Sequence, residues 1–413
     1  MALLSHEDNE LLTRTNSGTP MGELMRRYWI PAVFSHQIEK PDCPPVRVGL
    51  LGEKLVAFRD SQGRPGILDE RCPHRTASMF FGRNEECGLR CVYHGWKFDI
   101  NGDCVDLPSE PPGSTLRRKV RIKAYPCHEQ GGLVWAYMGP TEFKPEFPEL
   151  EWTMVPESHR YATRHIQECN WLQGLEGGFD TSHLAFLHRG TAGTNRRVVP
   201  SAYAIVPTDF GFIAGTGRIL NEGEVSWASN LMCMPFHKVF ATSPEAAHVW
   251  VPIDDERTML YSVDYWPDKP LTDEDLERTT SHYGIHTENI PGTDIPIHNK
   301  DNDYNIDRDF QASGDSYTGI KGLGVQDCGI QESMGPIADR TIEHLGVSAT
   351  AIIQIRKLLL RSLEDFQAGK VPPGLNPESY RARSTRFTLL DDESFEEIIK
   401  EQLKRDYGSV AAE

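Results

Sequence analysis

Two short stretches hold side chains with metal-binding chemistry. Cys72-Pro-His74 and Cys91-Val-Tyr-His94 are separated by sixteen residues, giving C-x-H, a spacer, then C-x2-H. Thiolates suit iron–sulfur clusters and zinc, and imidazoles suit iron and zinc. A Cys2His2 zinc finger usually spends both cysteines first and both histidines second. Here each pair has one of each. Two loops of this kind fit a [2Fe–2S] cluster with two cysteines on one iron and two histidines on the other. Exchanging two thiolates for imidazoles raises the reduction potential. A structural zinc is the rival. Pro73, which stiffens the first loop, and Gly95-Trp96 directly after His94 favour the cluster.

Further on, Asp180, His183 and His188 form D-x2-H-x4-H. Asp180 and His183 share a face if the segment is helical. Five residues on a straight helix turn the second imidazole by about 140° from the first. Both histidines reach one ion only if the helix ends, bends or bulges between them. Two imidazoles plus a carboxylate make the facial triad of non-haem Fe(II) oxygenases, with open positions for dioxygen. Alone this spacing is weak, because Asp and His at such offsets commonly cap and pack. Beside an electron relay it gains weight.

These residues resemble the catalytic component of the Rieske non-haem iron aromatic-ring-hydroxylating oxygenases, in the phthalate dioxygenase-like branch. The likeness also rests on Pro-Met-Gly-Glu-Leu-Met-Arg-Arg-Tyr-Trp (20–29), Leu-Arg-Cys-Val-Tyr-His-Gly-Trp-Lys (89–97) and Met-Gly-Pro-Ile-Ala-Asp-Arg (334–340), and it covers nearly the whole chain. It implies an α+β chain. Its parts are a helical segment (1–30), an all-β Rieske domain (31–145) and a catalytic domain (150–413) with an antiparallel sheet wrapped around helices in a helix-grip, START-like manner. It implies Cys72, His74, Cys91 and His94 as cluster ligands and His183 and His188 as ligands of one mononuclear Fe(2+). The third iron ligand implied is Asp327, in Gln326-Asp327-Cys328, with Asp315, Glu332 and Asp339 as rivals. Asp180 is implied as a hydrogen-bonding bridge from an iron histidine to a cluster histidine of a neighbouring subunit, in a homotrimer or stacked hexamer. Asn170, Gln173 and Glu176 could support the ligands or merely face solvent. The implied reaction is O2-dependent hydroxylation of an aromatic compound, with an aryl carboxylate favoured. Electrons would come from a separate NAD(P)H-dependent reductase, directly or through a ferredoxin. O-demethylation of a methoxylated aromatic acid is the alternative. A pure Rieske electron carrier fits less well, because a large region follows the cluster motif.

The elements that must hold these residues follow from local signals. Helices are expected at 5–14, capped by Ser5, and at 21–28, ended by Pro31. From Val46 to Pro140, short strand-like runs alternate with turns at Gly52–Glu53, Gln62-Gly63, Asn101-Gly102 and Gly131-Gly132, the mark of a small β domain. Pro140, Pro145 and Pro148 suggest a linker. Beyond it, helix is expected around 170–188, strands at 202–219, 226–242 and 248–266, and a long polar loop at 285–324. A helix is expected at 348–367, with Ile352, Ile355, Leu359, Leu363 and Phe366 on one face.

Composition sets outer limits. The chain has 413 residues, 38% of them apolar, and a net charge of −17, which argues against nucleic acid as a partner. Nine cysteines and an N-terminus without a signal-peptide pattern suggest a cytoplasmic protein with no disulfide framework. Cys87 reads as a bystander. Cys43, Cys104, Cys127, Cys169, Cys233 and Cys328 read as packed thiols. No G-x-G-x-x-G run marks a dinucleotide site. Arg117, Arg118, Lys119, Arg121 and Lys123 offer a basic face to a reductase, and a solvated strand explains them equally well. Pocket residues are expected from strands 202–266 and loop 285–320, with His237, Lys238 and Arg218 as candidate partners of a substrate carboxylate.

Overall fold

The computed structural model describes residues 4–190, 199–221, 223–282, 284–390 and 393–407. The chain divides into two units. The first comprises Thr15–Gly18 and Gly22–Phe147, and the second Met1–Arg14, Thr19–Met21 and Pro148–Glu413.

The first unit is built of three small antiparallel sheets of three, four and four strands. The turn signals fall between its strands as expected. Val46–Leu50 and Glu53–Arg59 pair across Leu51–Gly52, and Leu133–Tyr137 pairs with Cys127–Gln130. The helix expected at 21–28 covers only Pro20–Met25, and Pro31 lies inside the strand Trp29–Phe34. That strand is at the edge of its sheet, and its register slips between Pro31 and Val33. An edge position tolerates a residue with no N–H to give. Val56, Phe58, Leu68, Met79, Leu89 and Phe98 form a core that also buries Cys72, Cys91 and Trp96.

The second unit carries one antiparallel sheet. Its strand order is Arg160–Gln167, Thr258–Tyr265, Glu245–Pro252, His237–Phe240, Glu224–Cys233, Gly211–Asn221, Ala202–Thr208, with Arg386–Leu390 also paired to Glu224–Cys233. Each of the three strand-like runs read from the sequence is a hairpin. The breaks fall at Asp209-Phe210, at Met234-Pro235-Phe236 and, after Pro252, at Asp254-Asp255. Helix Trp171–Phe179 packs on two of these strands, on helix Leu323–Ser333 and on the long helix Thr350–Gln367. This is the α+β, sheet-around-helix arrangement that was expected. In the long helix Ile352, Ile355, Leu359 and Leu363 are buried, and Gly369 follows with φ 81°. The polar stretch 285–324 is ordered by caps: Asn299 caps a 3-10 turn, and Asp307 caps helix Arg308–Ser313. Among the described residues, no helix is long and apolar enough to cross a membrane.

Candidate metal centres and substrate cavity

In the first unit two loops repeat one backbone pattern. Thr76 N–H donates to the Cys72 carbonyl (2.9 Å), and Gly95 N–H donates to the Cys91 carbonyl (2.9 Å). The N–H of each cysteine in turn donates five residues ahead, Cys72 to Ala77 and Cys91 to Trp96. Thr76 and Gly95 are both left-handed, with φ 59° and 78°. Gly95 has a second reason to be glycine, since an added Cβ would meet Pro108 at 2.6 Å. Each loop thus buries its cysteine and leaves its histidine half-buried. The His74 and His94 rings lie edge to face, 4.4 Å between centroids, and His74 also stacks on Trp96 at 4.3 Å. Burial and the neighbouring Cys91 hold the Cys72 thiol above its ordinary range, at about 11. A thiol in that position ionises only with help from a bound metal's charge. Among the described residues, the four donor atoms are not one of the sets that close to within 4.8 Å of one another. One tetrahedral zinc would draw them that close. A two-iron cluster spreads them out, so the donor set fits a cluster better than zinc.

In the second unit, helix Trp171–Phe179 ends at Asp180, whose N–H caps it onto Glu176 and Gly177. His183 then opens a 3-10 turn, Leu187 N–H returns to the His183 carbonyl, and His188 follows. The helix therefore stops before either histidine, which removes the angular conflict in a five-residue spacing. The Nε2 atoms of His183 and His188 are 3.1 Å apart, and Asp327 Oδ1 lies 3.5 and 3.3 Å from them. These are separations of ligand atoms sharing one ion at about 2.1 Å. Among the described residues, this is the one set of three metal-binding side chains so gathered. The His188 Nδ1–H donates to Gln326 Oε1 (2.7 Å), and Gln326 Nε2 donates to the Ile320 carbonyl (2.8 Å). This chain fixes the tautomer that turns the His188 Nε2 lone pair to the centre. Burial works against the Asp327 carboxylate, but His188 and His183 outweigh it and hold the group below its usual range. The donor chemistry fits a ferrous ion with open positions.

Other candidates fall elsewhere. Asp315 and Asp339 are exposed and accept from Ser313 and Thr341, and Glu332 accepts from Tyr304 and from Glu168 N–H. Asp180 accepts from Ser182 N–H (3.0 Å). Asn170 caps the glycine-rich helix, Gln173 binds the Gln331 and Gly335 carbonyls, and Glu176 is buried between Arg340 and Arg356. These three neither face solvent nor touch the ligands. Gln173 ties the helix to Leu323–Ser333 and the segment after it, Glu176 ties it to Arg340 and to Arg356 of the long helix, and Asn170 donates to the Thr13 and Asp255 carbonyls.

A cavity of about 210 Å³ opens beside His183, His188 and Asp327. A cavity of roughly 150 Å³ suffices for benzene, so a substituted ring has room. Its sheet wall is made by alternation on neighbouring strands: Thr216 and Arg218, Ala228 and Asn230, Lys238 and Phe240, His248 and Trp250, then Leu260. Side chains two apart on a strand share a face. The same rule excludes His237, which is buried on the other face against Phe236. Loop 285–320 contributes only Ile285, and helix Leu323–Ser333 supplies Leu323, Gly324, Asp327 and Gln331 instead. Gly174 and Gly178 let their helix lie against Trp250, since Cβ atoms there would sit 2.3 and 2.5 Å from the indole. His248, Asn230, Trp250 and Gln331 carried no motif, and Gln326 entered only as the neighbour of Asp327. A period-of-two count over the sheet strands would have found the first three.

The remaining thiols are free. Cys104, Cys169, Cys233 and Cys328 are buried, whereas Cys43, Cys87 and Cys127 are only partly so. Arg117, Arg118, Lys119, Arg121 and Lys123 are exposed, and Arg121 and Lys123 are paired with Asp103 and Glu53.

Residues 28–126 match the Rieske [2Fe-2S] domain family, and residues 235–404 match the family described as LigXa C-terminal domain like. The chain is 39% identical to the 3-chlorobenzoate-3,4-dioxygenase oxygenase subunit of Comamonas testosteroni, over 90% of this chain and 91% of that protein. It is 36% identical to the phthalate 4,5-dioxygenase oxygenase subunit of Pseudomonas putida, over 94% and 92%. The solved structure of Pseudomonas putida CBB5 NdmA, a QL mutant with theobromine, shares the fold at a TM-score of 0.61 and 20% identity, covering 91% of this chain and 100% of that one. Fold, paired metal motifs and relatives agree: the chain belongs to the Rieske non-haem iron oxygenases. Within that class it is an oxygenase (alpha) subunit of the phthalate dioxygenase-like branch, an enzyme with one [2Fe–2S] cluster and one mononuclear iron.

Proposed function

We propose that this subunit uses dioxygen to hydroxylate an aromatic ring in the cavity beside His183, His188 and Asp327, with aryl carboxylates the first class to test. The observation that carries this is a cavity of ring size opening directly on a three-ligand set with one carboxylate and two imidazoles. The relatives that act on chlorobenzoate and phthalate support the aromatic acid. Iron held there would activate dioxygen. The protein's share is to keep the ligand atoms aimed through Gln326, to seat the ring between Trp250, Leu260 and Phe240, and to keep bulk water out.

In this reading residues 31–145 form the cluster domain, with Cys72, His74, Cys91 and His94 as ligands. Residues 150–413 form the iron domain, and 1–30 are an N-terminal segment. Electrons come from a separate NAD(P)H-dependent reductase, directly or through a ferredoxin, and the exposed Arg117–Lys119 run offers it a basic contact. The protein works in the cytoplasm as a homotrimer or stacked hexamer. There Asp180, half-buried and three residues before His183, links the iron histidine to a neighbour's cluster. Asp180→Asn would then keep both metal centres but lose coupled turnover.

The test is a screen of aromatic acids and methoxylated aromatics with a surrogate reductase, scoring substrate-dependent oxygen uptake, diols and formaldehyde. Diols support ring hydroxylation. Formaldehyde supports O-demethylation. Oxygen uptake that no aromatic stimulates contradicts both.

A further inference from the structure

The sheet wall of the cavity holds a cation whose position the iron site does not explain. Lys238 is 2% exposed, on the strand His237–Phe240. Its ammonium donates to the Gly178 carbonyl and lies 3.8 Å from the Phe240 ring centroid and 4.9 Å from that of Phe179. Asp180 and Asp327 are the acids whose charges reach it, and neither comes within the 4.0 Å of an ion pair. A buried ammonium without a carboxylate partner is costly, and a carbonyl and two ring faces repay only part of that cost.

Directly opposite Lys238, in register on the neighbouring strand, is His248. Opposed residues of an antiparallel pair project from the same face, and both line the cavity. His248 is 7% exposed, and its Nε2 has no hydrogen-bond partner. Burial pushes its pKa down to about 3, so the ring is neutral and can offer an N–H. An ammonium lacking its counter-ion and an imidazole nitrogen lacking its partner thus stand side by side in a space lined mainly by carbon.

We infer that Lys238 and His248 are the specificity-determining pair that binds the anionic oxygens of the substrate, so that the compound oxidised carries a carboxylate at the end of its ring facing this wall. This deepens the proposed function and rests on it for the identity of the cavity as the substrate site. Lys238 supplies the charge and one hydrogen bond to an oxygen, and His248 supplies a directional hydrogen bond. Burial lowers the lysine towards about 7, and a carboxylate beside it would restore the charged form.

The test is equilibrium binding under anaerobic conditions, with benzoate and phthalate as anionic probes and benzamide and phthalamide as neutral ones of similar shape. Wild-type protein is expected to prefer each acid over its amide by roughly tenfold or more, the range of a charged hydrogen bond. Lys238→Met should bring that ratio close to one, Lys238→Arg should retain most of it, and His248→Leu should lower it by a smaller factor. The ratio is internal to each variant, so loss of folded protein does not imitate the effect, and the cluster's visible spectrum reports the fold. Equal binding of acid and amide by the wild type, binding of neither, or an unchanged preference in Lys238→Met would each overturn the inference. Turnover of neutral aromatics without acid preference leaves the oxygenase reading intact while this one fails. Acid preference without oxidation of any aromatic does the reverse.

Discussion

The two metal centres of this chain are built in opposite ways. The proposed cluster site is local: two tight loops, one backbone pattern used twice, with all four candidate donors between Cys72 and His94. The proposed iron site is assembled over distance, with two histidines just past one helix and a carboxylate on another, Leu323–Ser333. A local site depends on the conformation of its own loops. An assembled site depends on whatever holds its two helices together. In this chain Gln173 joins them directly at the Gln331 carbonyl, while Glu176 with Arg340 and Arg356, and the close packing of Gly174 and Gly178 on Trp250, fix the first helix to the elements around it.

This contrast is open to attack by substitution. The largest effect is expected at the assembled site, where Asp327→Ala should abolish substrate-dependent oxygen uptake, by roughly a thousandfold or more, while leaving the cluster's visible spectrum unchanged. Loss of the cluster in that variant would mean that the sites are not separable. Next, Glu176→Gln leaves Arg340 without its buried counter-charge and Arg356 with Glu343 alone, and should lower unfolding stability by about 3 kcal/mol in denaturant titration, although Glu176 touches no ligand. Gln326→Leu should weaken iron binding roughly 10- to 100-fold, measured by chelator competition, by freeing the His188 tautomer. The smallest effect belongs to Gly178→Ala, which overpacks Trp250 and should cost about 1–3 kcal/mol. A neutral outcome there would show that the helix can shift without disturbing its ligands.

The same contrast explains what could be read from sequence. The two matching loops that carry Cys72, His74, Cys91 and His94 were legible because a loop carries its own spacing. The turn glycines and prolines located most strands of the first unit for the same reason, and Pro31 misled only because edge strands accept it. His183 and His188 were legible as a pair but geometrically awkward, and the end of the helix at Asp180 resolves that. Asp327 was reached only through resemblance, because nothing near it in sequence announces a helix. Leu323–Ser333 is short and mixes Gly, Gln and Cys without a clear apolar stripe. The cavity wall was half-legible. Strand runs 202–266 were placed, but without the hairpin breaks no residue could be assigned to a face, so Lys238 and His237 stood as equals. In the structure Lys238 faces the cavity and His237 faces away from it.

On this reading one chain holds two independent iron sites, one local and one assembled. Metal and sulfide analysis of purified protein, before and after His183 and His188 are both changed to Ala, addresses it directly. Wild-type protein is expected to hold roughly three irons and two acid-labile sulfides per chain, and the double variant roughly two irons with the sulfide unchanged. A third iron that survives loss of both histidines, or a wild type that never holds it, would rule out an iron site built on His183 and His188.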